Sequence, residues 1–204
     1  MTKRATVRAP DATREKILNA AFLEFYKNGF QGGSLNQIVD AAGTTKGALF
    51  HHFDGKQQLG YAVVDEIIEP LLLARWLTPL EGSTDPLTAL QNSFRRFVKE
   101  DIDSGNHVHG CPLNNLAQEM SPLDEGFRGR IDRLYTMWRK GVATALTAGI
   151  EAGTVRKNVA PKAVASMVVA GQMGIWGTGK SSHSKVVMTQ ASEALCDYLD
   201  SLRS

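Results

Sequence analysis

Apolar residues recur along this chain at the spacing of α-helices. Near the start, one apolar stripe is formed by Ile17, Leu18, Ala21, Phe22 and Phe25. The stripe predicts a helix over residues 11–28, which Gly29 ends. No stretch alternates apolar and polar residues between hairpin turns, so the predicted fold class is all-α.

A short helix is predicted to follow at Ser34. Ser34 and Gln37 have the spacing of a capping box, in which the serine hydroxyl accepts from the backbone N–H of Gln37 and the glutamine side chain reaches back to Ser34. The apolar face of this helix consists of Leu35, Ile38, Val39 and Ala42.

A second short helix begins after a tight turn. Gly43 ends the first helix, and Thr44 or Thr45 can cap the second. The predicted buried face of the second helix is Leu49, Phe50 and Phe53. Two short helices joined by such a turn form a helix-turn-helix pattern.

Longer helices are predicted for the rest of the chain. Their bounds are 56–78, 86–103, 112–121, 123–152, 161–179 and 184–203. Glycine and proline mark the breaks, including the stretch 177–184 before the last helix. The sequence thus predicts a three-helix helix-turn-helix domain over residues 1–55 and a larger helical domain over residues 56–204.

Composition fits a globular protein and places its small positive charge at one end. The 204 residues are 43% apolar with a net charge of +2, and residues 1–60 contain eight basic and five acidic residues. Two cysteines favour a reducing compartment, and no apolar stretch is long enough for a signal peptide or a membrane span. We therefore expect a cytoplasmic protein without a membrane partner.

In a helix-turn-helix the second helix enters the major groove, so its groove-facing residues are candidates for DNA contacts. They are Thr44, Thr45, Lys46, Gly47, Ala48, His51 and His52, with Ser34 and Gln37 placed for phosphate at the preceding helix N-terminus. Lys3, Arg4 and Arg8 form either a DNA-binding arm or a solvated tail. The pattern alone also fits a helical domain that binds no DNA.

The string from Ser34 to Phe53, followed by Lys56-Gln-Gln-Leu59, resembles the DNA-binding region of TetR-type transcriptional regulators. The resemblance implies a homodimer, usually a repressor, that binds a palindromic operator of double-stranded DNA. It also implies a C-terminal domain that binds a small effector and dimerises, with effector binding releasing DNA. The implied route is a shift of the long helix over residues 56–77 that changes the spacing of the two recognition helices.

Individual positions match that family. Lys46 corresponds to its usual lysine at the start of the recognition helix, and His51 and His52 correspond to its polar pair. Lys56 corresponds to the lysine that opens the connecting helix near the DNA backbone. Phe50 departs from the tyrosine of many relatives, whose hydroxyl touches phosphate, so we assign Phe50 to the core.

Aromatic and methionine side chains of the larger domain are candidates for an effector cavity or for ordinary core packing. The candidate effector residues are Trp76, Phe94, Cys111, Asn115, Met120, Trp138, Met173 and Trp176. Cys111 precedes Pro112 at a predicted helix N-cap, where the helix dipole favours the thiolate. A thiol-based redox or electrophile sensor therefore stays open as an alternative, whereas Cys196 is assigned to packing.

The last two helices are candidates for the dimer interface, although they can also close the core of one chain. The candidate interface residues are Val164, Met167, Val168, Gly171, Ile175, Ala191, Leu195, Tyr198, Leu199 and Leu202.

Other readings of the chain have weaker support. His107, His109 and Cys111 lack a standard zinc spacing, and we predict neither metal nor cofactor. A cysteine hydrolase using Cys111 with His107 or His109 has no further catalytic signature, so we predict no enzyme. The low charge of the first 60 residues argues against a non-specific architectural DNA-binding protein.

Overall fold

A computed structural model of the chain describes residues 11–204, which contain helices but no strand. The α-helices are α1 Ala12–Asn28, α2 Leu35–Ala41, α3 Lys46–His52, α4 Lys56–Val63, α5 Glu69–Leu72, α6 Pro86–Asp103, α7 Pro112–Met120, α8 Glu125–Glu151, α9 Pro161–Ser182 and α10 Lys185–Asp200. π-Helical turns at Val64–Ile68 and Leu73–Leu77 flank α5, and 3-10 turns occupy Thr78–Leu80 and Asn106–Val108. The all-α prediction is confirmed. Within residues 11–204, no helix has the length and apolar character needed to cross a membrane.

The chain divides into two compact units between Ile67 and Ile68 rather than at the predicted residue 55. The difference arises because α4 packs against α1 and buries Leu59 and Val63. Arg14 of α1 also donates to both carboxylate oxygens of Glu66, each at 2.6 Å. The first part of the predicted connecting helix therefore belongs to the helix-turn-helix unit.

The core of the first unit contains apolar residues from all four of its helices. Its most buried side chains include Ile17, Ala21, Ile38, Leu49 and Leu59. The loop between α1 and α2 needs a glycine at Gly33, because a Cβ there would lie 2.6 Å from the ring of Phe25.

Pro70 explains why the helical run after Gly55 is not a regular α-helix throughout. A proline lacks the N–H, and its ring would clash with the carbonyl four residues earlier in a regular α-helix. The π-helical turn at Val64–Ile68 comes directly before α5, whose first turn contains Pro70. A wider turn at this point accommodates the proline ring.

The second unit contains a bundle in which α6 packs on α10, α7 on α8, and α9 on both α8 and α10. The prediction that α9 ends at residue 179 is wrong, because the helix runs through Gly177 and Gly179 to Ser182. A Cβ on Gly179 would lie 3.1 Å from the Met188 sulfur, so this glycine serves a close helix contact rather than a break. The chain turns instead at His183, whose φ is 51°.

Candidate DNA interface and effector site

The turn between α2 and α3 is fixed by backbone bonds and by a threonine cap. The N–H of Thr44 donates to the carbonyl of Val39 at 3.1 Å, and Gly43 adopts a φ of 60° that favours glycine. The Thr45 hydroxyl accepts from the N–H of Ala48 at 3.2 Å, so Thr45 is the cap of α3.

One face of α3 is exposed and carries most of the predicted DNA-contacting residues. Thr45, Lys46, Gly47 and His51 are exposed, and Thr44 and Ala48 are half-buried. The assignment of Phe50 to the core is wrong, because 52% of this residue is exposed. Leu49 and Phe53 fill the inner face of α3 and leave Phe50 on the outer side. We call Thr44–Ala48 with Phe50 and His51 the α3 surface.

His52 differs from its neighbour His51 because it faces the first helix. Its side chain is 13% exposed, and its Nε2 lies 3.6 Å from a carboxylate oxygen of Asp11. Asp11 caps α1, and its hydrogen bond from the N–H of Thr13 lowers the pKa of its carboxyl group. His52 thus faces Asp11 within the first unit, and its predicted contact with DNA loses its support.

The predicted capping box at the start of α2 is half correct. The Ser34 hydroxyl accepts from the N–H of Gln37 at 3.5 Å, but the N–H of Ser34 donates to Glu24 at 2.9 Å. With its amide nitrogen toward Glu24, Gln37 also donates to both oxygens of that carboxylate, at 2.9 and 3.0 Å. Because Glu24 would repel a phosphate here, the predicted phosphate contacts of Ser34 and Gln37 lose their support.

Lys56, a further predicted DNA contact, has partners within the first unit. The Lys56 ammonium donates to the carbonyl of Gln31 at 2.9 Å and lies 5.1 Å from the centre of the Phe30 ring. It therefore joins the start of α4 to the loop after α1. Lys3, Arg4 and Arg8 lie outside the described residues.

The aromatic residues proposed to line an effector cavity pack against one another in the second unit. The ring centre of Trp76 lies 4.8 Å from Phe94, 5.2 Å from Trp138 and 5.7 Å from Trp176. All four are buried, as is Met120, whereas Asn115 and Met173 are half-buried. Core packing therefore accounts for this cluster.

A buried ionic group lies beside the aromatic cluster, and sequence analysis missed it. Arg75 donates to both carboxylate oxygens of Asp101, at 3.1 and 3.4 Å, and the Trp176 indole donates to the same carboxylate at 2.6 Å. The sequence did indicate that Asp101 is buried, because Asp101 follows Phe94 and Phe97 at the spacing of one helix face.

Cys111 is the N-cap residue of α7, yet its surroundings do not favour the thiolate. Burial raises the pKa of its thiol, although the N–H groups of Leu113 and Asn114 and the Gln172 side chain lie close enough to oppose the shift. Burial thus opposes the thiolate that the helix dipole is predicted to favour. Burial also raises the pKa of Cys196 to about 11.

Two grooves that border α8 are not lined by the predicted effector residues. One groove of about 740 Å³ lies between α8 and the start of α9, and one of about 730 Å³ lies between α8 and residues 77–83. Thr136, Lys140 and Thr144 line both.

Most of the predicted dimer-interface residues are buried within the single chain. The buried set is Val164, Val168, Ile175, Leu195, Leu199 and Leu202. A Cβ on Gly171 would lie 2.9 Å from Leu195, so this predicted interface residue also serves packing within the chain. One stripe on α9 and one on α10 are formed by small or apolar residues, which are exposed except for half-buried Ala191. We define the α9/α10 face as Ala163, Met167, Ala170, Gly174, Val187, Ala191, Ala194 and Tyr198.

Comparison with known proteins identifies the family. Residues 17–63 match the model of bacterial regulatory proteins of the tetR family, and residues 84–195 match that of the tetracyclin repressor-like C-terminal domain. The chain belongs to the TetR family. It is 28% identical over 161 residues to the HTH-type transcriptional repressor DhaR of Mycobacterium sp. (strain GP1), covering 79% of each chain.

Other transcriptional regulators agree with this assignment. An uncharacterized HTH-type regulator of Lactococcus lactis subsp. lactis is 33% identical over 136 residues, which cover 67% of this chain and 69% of that protein. The crystal structure of a TetR regulator from Chloroflexus aurantiacus J-10-FL superposes with a TM-score of 0.80 at 24% identity, covering 94% of this chain and 96% of that one.

Metal binding gains no support from the side chains near Cys111. Within residues 11–204, no three histidine, cysteine, aspartate or glutamate side chains are grouped to hold a metal ion. His107 is buried, and its Nδ1 has no hydrogen-bond partner.

Both thiols of this TetR-family chain are expected to react slowly in the folded protein. Because their pKa values are raised, less thiolate is present at neutral pH than in free cysteine. Cys196 is also buried, whereas Cys111 is half-buried. We expect a disulfide reagent to modify both thiols about 100-fold more slowly than it modifies free cysteine. In the unfolded protein, they should react at the rate of free cysteine. The Cys111→Ser variant shows which part of the reaction belongs to Cys111 and which to Cys196. A Cys111 thiol that reacts as fast as free cysteine would contradict this account.

Proposed function

We propose that this TetR-family chain is an effector-responsive repressor that binds an inverted-repeat operator as a homodimer. The α3 surface is the observation that carries the proposal. It follows a tight turn and presents Lys46, Gly47 and His51 to solvent on a capped helix. A short helix exposed in this way fits the major groove of DNA.

The α9/α10 face supports the homodimer. Residues 163–179 contain no charged side chain, although the outer side of α9 is exposed in the single chain. A helix that is apolar on all sides is normally buried on all sides. Small residues such as Ala170, Gly174 and Ala194 would let a second copy approach closely around a two-fold axis.

The name of one relative supports repression, as opposed to activation, of transcription. DhaR is named a transcriptional repressor, and its match covers 79% of this chain. By the same likeness, we infer that the second unit binds a small molecule whose presence ends repression.

The π-helical turns provide a route from an effector to the recognition helices. Trp76 lies in the turn Leu73–Leu77 and contacts Trp138, and Arg75 of the same turn binds Asp101. We infer that an effector bound beside these groups changes the turn and, through the helical run over residues 56–77, the separation of the two α3 helices. A ligand has this effect only if it binds the two arrangements with different affinity.

The alternatives weighed from the sequence gain no specific support. A cysteine hydrolase or a thiol sensor needs an accessible thiolate, and the raised pKa of the Cys111 thiol opposes both.

Two variants of the α3 surface test the proposal on DNA that the wild-type protein selects from a random pool. Lys46→Ala should weaken binding at fixed salt about tenfold or more, and should reduce the salt dependence by about one unit for each subunit. Phe50→Ala should also weaken binding but leave the salt dependence unchanged, because an apolar contact releases no counterion.

Lys157→Ala is the matched control, since Lys157 is an exposed lysine in the loop between α8 and α9. It should leave affinity nearly unchanged. Equal losses in Lys46→Ala and Lys157→Ala would show that net charge alone drives binding, and unchanged binding in both α3 variants would reject the α3 surface.

A further inference from the structure

Four buried polar atoms on α7, α8 and α9 of the second unit have no hydrogen-bond partner. They are Asn114 Oδ1, Tyr135 Oη, Trp138 Nε1 and Gln172 Oε1. Gln172 is only 2% exposed, and Trp138 is buried as well. Folded proteins leave few such atoms unpaired, because each loses its bonds to water on burial.

Contacts around the Cys111 thiol bring these groups together from three helices. Asn114 of α7 places its N–H, and Gln172 of α9 its side chain, beside the thiol. Tyr135 of α8 lies near enough for the thiol to influence its ionisation. Trp138 follows Tyr135 by three residues, which places the two on the same side of α8.

The charged groups beside this cluster already have partners. Arg75 donates to Asp101, and Lys180 of α9 donates to Asn115 at 3.1 Å. Burial raises the pKa of the Tyr135 hydroxyl, and burial raises that of the Cys111 thiol, so both groups are neutral at neutral pH. Arg139 of α8, which lies near enough to Tyr135 to oppose this shift, donates to the Thr136 hydroxyl at 3.0 Å. No group of the cluster itself is ionised, so an ionic ligand would lose its hydration without a counter-charge inside the cluster.

We propose that Cys111, Asn114, Tyr135, Trp138 and Gln172 bind a small uncharged effector that both donates and accepts hydrogen bonds. The two amide oxygens require donors from the ligand, and the indole N–H requires an acceptor. A primary carboxamide is the simplest group with this combination. The role of the ligand as effector rests on the proposed function, whereas its binding does not.

Tryptophan fluorescence of the DNA-free protein tests the site, because all three tryptophans lie in the second unit. The probes are isobutyramide, isobutyrate and isobutylamine, which have nearly the same size but differ in charge. Isobutyramide should give a saturable change at roughly millimolar concentration, and the two ions should bind at least about tenfold more weakly. Tyr135→Phe and Gln172→Leu should each weaken amide binding about tenfold, as expected for one lost hydrogen bond.

Ser192→Ala is the matched control, because the Ser192 hydroxyl is buried and unpartnered but lies on α10. It should leave amide binding unchanged. If Gln172→Leu fails to fold, Tyr135→Phe decides alone. The proposal is overturned if no probe saturates, if isobutyrate binds as tightly as isobutyramide, or if Ser192→Ala weakens binding equally. Amide binding by a protein that selects no DNA would uphold the site and reject the repressor.

Discussion

Met167→Glu is expected to hold the protein as a monomer and to abolish operator binding. Met167 is 52% exposed on the α9/α10 face, so the substitution leaves the core of the single chain intact. In a two-fold dimer, however, it would bury two unpaired carboxylates. Burying one unpaired charge costs about 3–5 kcal/mol, so two of them weaken the dimer by at least roughly a thousandfold. Sedimentation and DNA binding, measured at the same protein concentration, check both effects.

Leu123→Glu is the matched control for that experiment. Leu123 is also a large exposed apolar residue, at 62%, but it precedes α8 and lies outside the α9/α10 face. Its variant should remain dimeric with unchanged operator affinity. A dimeric Met167→Glu protein that binds operator like the wild type would reject the α9/α10 face as the interface.

Asp101→Ala should be the most destabilising single change in the polar part of the second unit. It leaves Arg75 without its buried partner and the Trp176 indole without an acceptor. Removing one partner of a buried pair costs about 3–5 kcal/mol, and the partial exposure of Arg75 places the expected loss near 3 kcal/mol. Urea unfolding at one fixed protein concentration measures this loss.

Asp103→Ala provides the comparison on the same helix. Asp103 is exposed and pairs with exposed Lys99, so its loss should change the unfolding free energy by no more than about 0.5 kcal/mol. Replacing Arg75 and Asp101 together by Met and Leu should recover much of the lost stability, because no unpaired charge remains. Equal effects of the two aspartate variants would contradict the structural role of Asp101.

Local signals in the sequence predicted the helix-turn-helix well. The Thr45 cap and the turn at Gly43 depend only on neighbouring residues, so spacing was sufficient. The prediction for Phe50 is wrong because it follows from the apolar character of the side chain and not from its position on the helix. Leu49 and Phe53, four residues apart, define the inner face of α3, and Phe50 lies outside that repeat.

Features that depend on distant partners were not readable from the sequence. Val168 is fully buried and Met167 is exposed, and only the packing of α9 against its neighbours separates these adjacent apolar residues. The aspartate at position 101 carries no local sign of Arg75, which lies 26 residues earlier. Gly179 is of the residue type that usually ends a helix, but here it lies within α9 and lets Met188 pack closely.

Selection of DNA from a random double-stranded pool by the wild-type protein tests the central claim most directly. If two α3 surfaces of one dimer enter successive major grooves, the selected DNA should contain an inverted repeat. Its half-site centres should lie about 34–36 Å apart or a multiple of that distance. Inserting half a helical turn between the half-sites should then abolish binding. Selection of no common sequence, or of a single unrepeated site that tolerates the insertion, would contradict the account.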